Sequence, residues 1–310
     1  MSIKISGTGS FIPKNIVKNN TFLDSEFYDK NGEPYPNSNK DIIEKFELIT
    51  GIKERRYADK NHNTSDLATF ASIEAIKDAG IDKEEIDYII VAHNFGEIDY
   101  NTNQYIALPS VATLVKHKLE ISNENCVAYD IIFGCPGWIE GIIQAKAFIN
   151  SGMAKKCLVI GADTLSRTVD KNDRDSLIFA DGAGASIVEK SEDEGGILSH
   201  KTITKAGKEA LYLFCKNSYS PKIKSKTKFI KMNGRKVYEF AISTIPNALK
   251  SCIENSGKNI DDIKKIFLHQ ANEKLDEAVL KYFYKLYDKP IPENIMPISC
   301  LLYTSPSPRD

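Results

Sequence analysis

A unit of helix, glycine, acidic turn and apolar strand occurs twice in this sequence, 177 residues apart. Residues 70–80, Phe-Ala-Ser-Ile-Glu-Ala-Ile-Lys-Asp-Ala-Gly, align with residues 247–257, Asn-Ala-Leu-Lys-Ser-Cys-Ile-Glu-Asn-Ser-Gly. Ile86, Ile89, Ile90 and Val91 then align with Ile263, Ile266, Phe267 and Leu268. Chance matches one helix, but a whole unit in the same order indicates a duplicated fold. The copies diverge at the strand end, where His269 stands in the place of Ala92. Strand ends are where α/β folds put their ligands.

Strand and helix patterns alternate around this repeat. Ile3–Ile5 opens a strand that Gly7, Gly9 and Pro13 are expected to end, and residues 17–62 read as a polar surface insertion with a short helix. Residues 64–79 carry apolar groups at helical spacing, with Gly80 as the stop. The apolar runs Tyr88–Ala92 and Cys126–Phe133 read as strands buried on both faces. Val111–Leu119 and Ile139–Ile149 read as helices, and Cys157–Gly161 and Ser186–Glu189 as strands. Beyond Gly234 follow a helix at Val237–Asn255, a strand at Ile266–Leu268 and a helix at Glu273–Tyr287. This is an α/β chain of helices on buried sheets, and 310 residues suit two domains or one doubled unit.

Composition narrows the function. Forty-one Lys and Arg against 42 Asp and Glu leave a net charge of −1. No basic field exists for nucleic acid or an anionic membrane. No run reaches the ~18 apolar residues of a membrane span, and the first ten residues lack a signal-peptide core, so a cytoplasmic protein is expected. The six cysteines, at 126, 135, 157, 215, 252 and 300, form no C-x-x-C pair and no zinc spacing with a histidine. Free thiols and no metal are expected.

One cysteine differs from the rest. Phe133-Gly134-Cys135-Pro136-Gly137-Trp138 joins an apolar strand to an apolar helix. Pro136 suits the first helical turn, where its missing N–H costs nothing, and the glycines permit a tight turn and close approach of a substrate. At a helix N-terminus the dipole favours the thiolate while apolar burial opposes it. Cys126, Cys157 and Cys252, inside regular elements, read as core residues. Leu268-His269-Gln270-Ala271-Asn272 ends the second-copy strand and sets an imidazole beside a neutral amide. Two donors there suit an enolate or oxyanion. His62, His93, His117 and His200 carry no comparable company.

In order along the chain, Cys135 in F-G-C-P-G-W, D-G-A-G-A at 181–185 and H-Q-A-N at 269–272 resemble the β-ketoacyl-acyl-carrier-protein synthase III family. G-T-G-S-F-I-P near the start and T-G-I-K-E-R-R at 50–56 fit as well, so the resemblance runs to about Ser299. It implies a thiolase-like fold of two similar halves in a five-layer α-β-α-β-α arrangement, here residues 1–190 and 191–299, usually as a homodimer. It implies a decarboxylative Claisen condensation that starts fatty-acid chains. Cys135 would take the acyl group from acyl-CoA, and His269 would stabilise the enolate formed from malonyl-acyl-carrier protein. No cofactor is implied. Arg174 matches the arginine that meets the CoA nucleotide, although between Asp173 and Asp175 it reads equally as half of a surface ion pair. Gly234 and Asn272 match residues lining the pantetheine channel. Lys274, Lys281 and Lys285 share one helical face that would dock the acidic carrier protein or simply face solvent. The basic run Lys222–Lys236 reads as a solvated loop.

Two departures from the pattern stand out. Where the family has a Trp and an Arg that bind the CoA adenine, this chain has Lys45 and Ile49, so weaker or different nucleotide recognition is expected, and the acyl donor need not be acetyl-CoA. The family's third catalytic residue, an Asn beyond this point, and its last strands are expected to be missing. Residues 300–310, with two prolines in the last five, read as a non-native tail, and such a chain is expected to be inactive or poorly folded. The alternatives are a specialised ketosynthase of secondary metabolism with an unusual acyl donor, a catalytically silent subunit that binds a carrier protein, and a Cys-His hydrolase releasing free acid. A thiolase would need a late C-x-G cysteine that this chain lacks.

Overall fold

The computed structural model describes residues 2–297. The expected non-native tail at 300–310, the last strands and the missing Asn lie outside the described residues. In chain order the first elements are β1 (Ser2–Phe11), β2 (Asn15–Lys18), α1 (Asn39–Thr50), β3 (Glu54–Tyr57), α2 (Thr64–Ala79), β4 (Tyr88–His93), β5 (Glu97–Ile98) and β6 (Tyr105–Ile106). Then come α3 (Val111–Lys118), β7 (Val127–Ile132), α4 (Gly137–Ser151), β8 (Lys156–Thr164) and β9 (Asp181–Ser191). The series ends with β10 (Leu213–Lys216), β11 (Phe229–Met232), α5 (Gly234–Asn255) and α6 (Glu273–Lys285). They form two compact units that interleave in sequence. The first takes the N-terminal residues through Asn15, Arg56–Arg167 and Ala180–Leu198; the second takes Ile16–Arg55, Thr168–Phe179 and residues from Ser199 onward. The continuous 1–190 and 191–299 division does not follow this partition.

The first unit is built on a five-stranded sheet in the order β1-β9-β8-β4-β7. β1, β9 and β8 are antiparallel, while β8, β4 and β7 are parallel. Successive residues of a strand face opposite sides, and here both sides are apolar. Ile89, Val91, Leu158 and Ile160 pack with Ala68, Ala71 and Ala75 of α2 and Val111, Ala112 and Val115 of α3. Ile90, Cys157, Val159 and Val188 pack with Ile142, Ala145 and Ile149 of α4. Each of the buried Ile, Leu and Val side chains contributes about 1.5–3 kcal/mol.

Two strand expectations change in this unit. Gly7 and Gly9 do not end β1, which continues to Phe11. A Cβ at Gly7 would stand 2.4 Å from the Ala75 carbonyl oxygen, and one at Gly9 2.2 Å from that of Ala71. The glycines let α2 lie directly on the strand. β7 is not buried on both faces: it is the edge of the sheet, with Val127 47% and Ile132 70% exposed.

In the second unit, α1 starts at a reciprocal cap between Ser38 and Asp41 and stops at left-handed Gly51. α5 and α6 pack on each other, and Ile260, Ile266, Leu280, Phe283, Tyr284 and Ile295 form the local core. The duplication is visible in the backbone. A 3-10 turn at Lys83–Glu85, capped by Asp82, recurs 177 residues on at Ile260–Asp262, capped by Asn259. Gly80 and Gly257 both have positive φ, 65° and 71°. The repeat then fades, because among the described residues no strand covers Ile266–Leu268. Ile266 donates one backbone bond to the Ile295 carbonyl, a single rung where a strand needs a ladder, and Phe267 is 79% exposed.

Candidate active site

Cys135 lies in the turn between β7 and α4. The Gly137 N–H donates to the Gly134 carbonyl at 2.9 Å, closing the turn. Gly134 has φ 73°, a conformation that suits glycine. Gly137 is needed for packing: a Cβ there would lie 2.8 Å from the Cβ of Ala92 on β4. Pro136 is the N-cap of α4, one position before the first-turn place expected of it; its missing N–H is equally harmless there. Cys135 is exposed. Enough protein still stands around its thiol that burial, with the Asp163 carboxylate second, pushes its pKa up. Surface access decides whether an electrophile reaches the sulfur, and that access is present. The opposition between helix dipole and burial thus resolves toward a protonated resting thiol. Cys126 and Cys157 are core residues, with thiols that burial pushes up to about 11 and about 12.

Asp163 is a half-buried carboxylate near the end of β8. It accepts the Asn94 backbone N–H at 2.9 Å, the Asn94 side-chain amide at 2.8 Å and the Phe95 N–H at 3.2 Å. Burial still pushes its pKa up. His93 next to it bonds through Nε2 to Asp130 at 3.1 Å, and Asp130 accepts the first N–H groups of α3, from Val111 and Ala112, each at 2.8 Å. His93 therefore has specific company that the sequence did not show.

His269 lies in the second unit, in the segment before α6. His269 is exposed at its surface, yet the protein packed around the ring lowers its pKa, partly countered by Asp276, which favours the neutral imidazole at pH 7. Burial pushes Asp276 up to about 7, against the pull of His269. Asn272 is the N-cap of α6: its side-chain oxygen accepts the Leu275 N–H at 2.9 Å. The cap leaves the amide NH2 as the group offered to a ligand. Gly234 is the first residue of α5. Lys274, Lys281 and Lys285 are all exposed on α6, with Lys274 paired to Glu277 at 3.2 Å.

Arg174 opens the 3-10 turn Arg174–Ile178. Its guanidinium lies 4.6 Å from the centre of the Tyr35 ring, while its Nε stands 4.0 Å from Asp175, the limit of an ion pair. Asp173 belongs to another partner. Lys231, fully buried, bonds Asp170 at 2.5 Å and Asp173 at 3.0 Å and sits over the Tyr219 ring. The reading of Lys222–Lys236 as a solvated loop thus fails at Lys231, which β11 carries into the interior. Arg55 of the T-G-I-K-E-R-R segment is buried too, donating to Leu177 and Val17 carbonyls at 3.1 Å each and to the Asn19 side chain at 2.6 Å.

Comparison with known proteins decides the family. The model of 3-oxoacyl-[acyl-carrier-protein] synthase III matches residues 129–206, which include the Cys135 turn. A β-ketoacyl-[acyl-carrier-protein] synthase III of Clostridium acetobutylicum is 36% identical over 292 residues, 93% of this chain and 82% of that protein. One of Neisseria meningitidis is 37% identical over 287 residues, covering 92% and 82%. The chain belongs to the β-ketoacyl-acyl-carrier-protein synthase III family. The crystal structure of the Aquifex aeolicus 3-oxoacyl-[acyl-carrier-protein] synthase III superposes with a TM-score of 0.77 at 30% identity, over 95% of this chain and 83% of that one. The priming β-ketosynthase of the R1128 polyketide pathway shares the fold at a TM-score of 0.74 and 23% identity. The thiolase-like α/β fold expected from the sequence is the fold of this family. His269, Asn272, Gly234, Arg174 and the three lysines belong to the second unit and Cys135 to the first. Asp163, Asp276, Tyr35 and Lys231 were not singled out in the sequence.

Proposed function

We propose that this chain is an acyltransferase that initiates fatty-acid synthesis by decarboxylative condensation of an acyl-CoA with malonyl-acyl-carrier protein. The observation that carries this is identity of 36–37% over nine tenths of the chain to enzymes of that name, with the cysteine turn inside the segment matched by the family model.

In this reading Cys135 gives up its proton and its sulfur attacks the acyl thioester; the CoA thiolate leaves and takes up a proton. The acyl group stays electrophilic as a new thioester. Malonyl-carrier protein then loses carbon dioxide, and the enolate carbon attacks the acyl-Cys135 carbonyl, expelling the Cys135 thiolate. A neutral His269, its pKa lowered by the protein around the ring, donates its N–H to the enolate oxygen, and the NH2 of Asn272 is a second donor. No cofactor enters this reaction. Lys274, Lys281 and Lys285 dock the acidic carrier protein, Gly234 and Asn272 line the pantetheine path, and Arg174 meets the CoA nucleotide. A cytoplasmic homodimer belongs to the same reading; the edge position of β7 and exposed Val127, Ile132 and Phe133 support a partner strand there.

The test is a two-stage assay. Acyl-CoA alone must load the protein, and malonyl-carrier protein must then yield β-ketoacyl-carrier protein and carbon dioxide. A silent subunit gives neither product, and a hydrolase gives free acid.

A further inference from the structure

Asp276 is the fourth residue of α6, one turn beyond the N-cap Asn272 and seven residues after His269. It is only 4% exposed. A carboxyl so enclosed normally collects N–H donors, as Asp163 and Asp170 do. The Asp276 backbone N–H goes to the Asn272 carbonyl at 3.3 Å, but among the described residues no hydrogen bond reaches its carboxyl. The one charge that acts on this carboxyl is the imidazole of His269, and Asp276 is in turn the one charge that acts on His269.

Other charged groups on and around α6 are engaged elsewhere. On α5, which packs along it, Lys250 pairs with Glu254 at 3.9 Å and Glu239 with Lys236 at 2.7 Å. On α1, Glu47 accepts the Asn19 amide at 3.1 Å. On α6 itself Lys274 takes Glu277 at 3.2 Å, and beyond its end Lys289 pairs with Asp261. The imidazole and the carboxyl therefore face each other alone, the ring as the accessible member and the acid as the enclosed one.

A neutral imidazole carries a single N–H. When that N–H points at an enolate oxygen, the other ring nitrogen is a bare acceptor, and only a donor can hold it. A carboxylate has no proton to give, whereas a carboxylic acid does. Burial keeps the proton on Asp276 up to about 7. We propose that Asp276 is a positioning residue for the condensation step: as the neutral acid it donates its O–H, directly or across one water, to the rear nitrogen of His269 and fixes the tautomer whose N–H faces the enolate. This rests on the reading of the chain as a condensing enzyme. Both protons keep their owners: the two hydrogen bonds tighten as charge gathers on the enolate oxygen and relax when the carbon–carbon bond forms.

The test is single-turnover condensation of the preformed acyl-enzyme with malonyl-carrier protein, from about pH 6 to about pH 8.5. In the unaltered protein the rate falls on the alkaline side, as Asp276 loses its proton. Asp276→Asn carries a permanent donor, so it keeps the rate at about pH 6 within about twofold and abolishes the alkaline fall. Asp276→Leu has no donor and slows the step about tenfold at about pH 6, the worth of one hydrogen bond, with half-saturating malonyl-carrier protein changed less than about twofold. A purely structural Asp276 predicts equal rates in all three proteins. Should Asp276→Leu fail to fold, the pH profile of Asp276→Asn decides. Imidazole nitrogen NMR shifts of His269, assigned with His269→Ala, read the pair without catalysis: one tautomer in the unaltered protein at about pH 6 and in Asp276→Asn, a mixture in Asp276→Leu. Full rate in Asp276→Leu, a rate in Asp276→Asn as low as that of Asp276→Leu, an alkaline fall that persists in Asp276→Asn, or one tautomer pattern in all three proteins overturns the proposal. No condensation by the unaltered protein counts against the enzyme reading instead, and the tautomers still decide the role of Asp276.

Discussion

Lys231→Met should convert the most buried charge cluster of the second unit into a liability whose size depends on pH. Lys231 has no exposed side-chain surface, Asp170 has 1% and Asp173 10%. Burial alone would push Asp170 up, but the Lys231 ammonium and the N–H groups of Tyr219 and Asn172 outweigh it and hold the carboxyl below its usual 3.8. Removing the cation strands two carboxylates, and breaking a buried pair from one side costs about 3–5 kcal/mol. For a domain of this size that is a fall of about 5–15 °C in melting temperature. The sign with pH follows from linkage. In the unaltered protein Asp170 is depressed, so its contribution is present above the unfolded carboxyl value and is lost as pH falls toward the folded one. In Lys231→Met burial of Asp170 is no longer opposed by the cation, so its carboxyl sits above its unfolded value, the folded state binds the proton more tightly and stability falls as pH rises. The gap between the two proteins is smallest in acid and widest at neutrality. Urea melts at about pH 5 and about pH 8 measure it, and Lys231→Met/Asp170→Asn/Asp173→Asn should recover most of the loss. A loss under about 1 kcal/mol, or one that does not vary with pH, would refute the reasoning.

Other outcomes follow from the site. Gly137→Ala pushes a Cβ to 2.8 Å from that of Ala92; a net loss of about 1–2 kcal/mol is expected after the gain in helix propensity, and slower loading of Cys135, read by denaturant melts and by mass. His269→Ala should leave acyl loading intact and slow single-turnover condensation of the preformed acyl-enzyme about 10²–10³-fold. Because burial lowers the His269 pKa, that condensation step should hold its rate on acidification at least to the ordinary imidazole value of 6.5; a decline beginning above it contradicts a neutral donor. Reversing Lys274, Lys281 and Lys285 to Glu should raise KM for malonyl-carrier protein several-fold and more steeply at low salt, with acyl loading from acyl-CoA untouched.

Much of the fold was legible because its signals are local. The two apolar faces of the sheet show as the unbroken run Tyr88–Ala92, and the helix stops show as glycines, such as Gly80 and Gly257. The ordered motifs around Cys135 and His269 led to the right family. What stayed hidden depends on partners distant in sequence. Gly7 and Gly9 looked like strand breakers until α2 was seen to lie on them. β7 has the composition of a buried strand, and nothing in its residues reveals that it is the sheet edge. Lys231 sits in a basic run, and its burial is set by Asp170 and Asp173, some sixty residues earlier. Tyr35 lies in a polar loop, 139 residues before the arginine beside its ring. Asp163 and Asp276 are ordinary acids in the sequence, and their surroundings give them weight only in the folded chain.

The most direct trial of a covalent condensing mechanism is peptide mass spectrometry of the protein after brief exposure to an acyl-CoA, with and without a chase of malonyl-carrier protein. The account predicts one acyl group on the peptide containing Cys135, none on the peptides of Cys126 or Cys157, and its transfer to β-ketoacyl-carrier protein during the chase. An unmodified Cys135, an acyl group on another cysteine, or an adduct that the chase discharges only as free acid would contradict it.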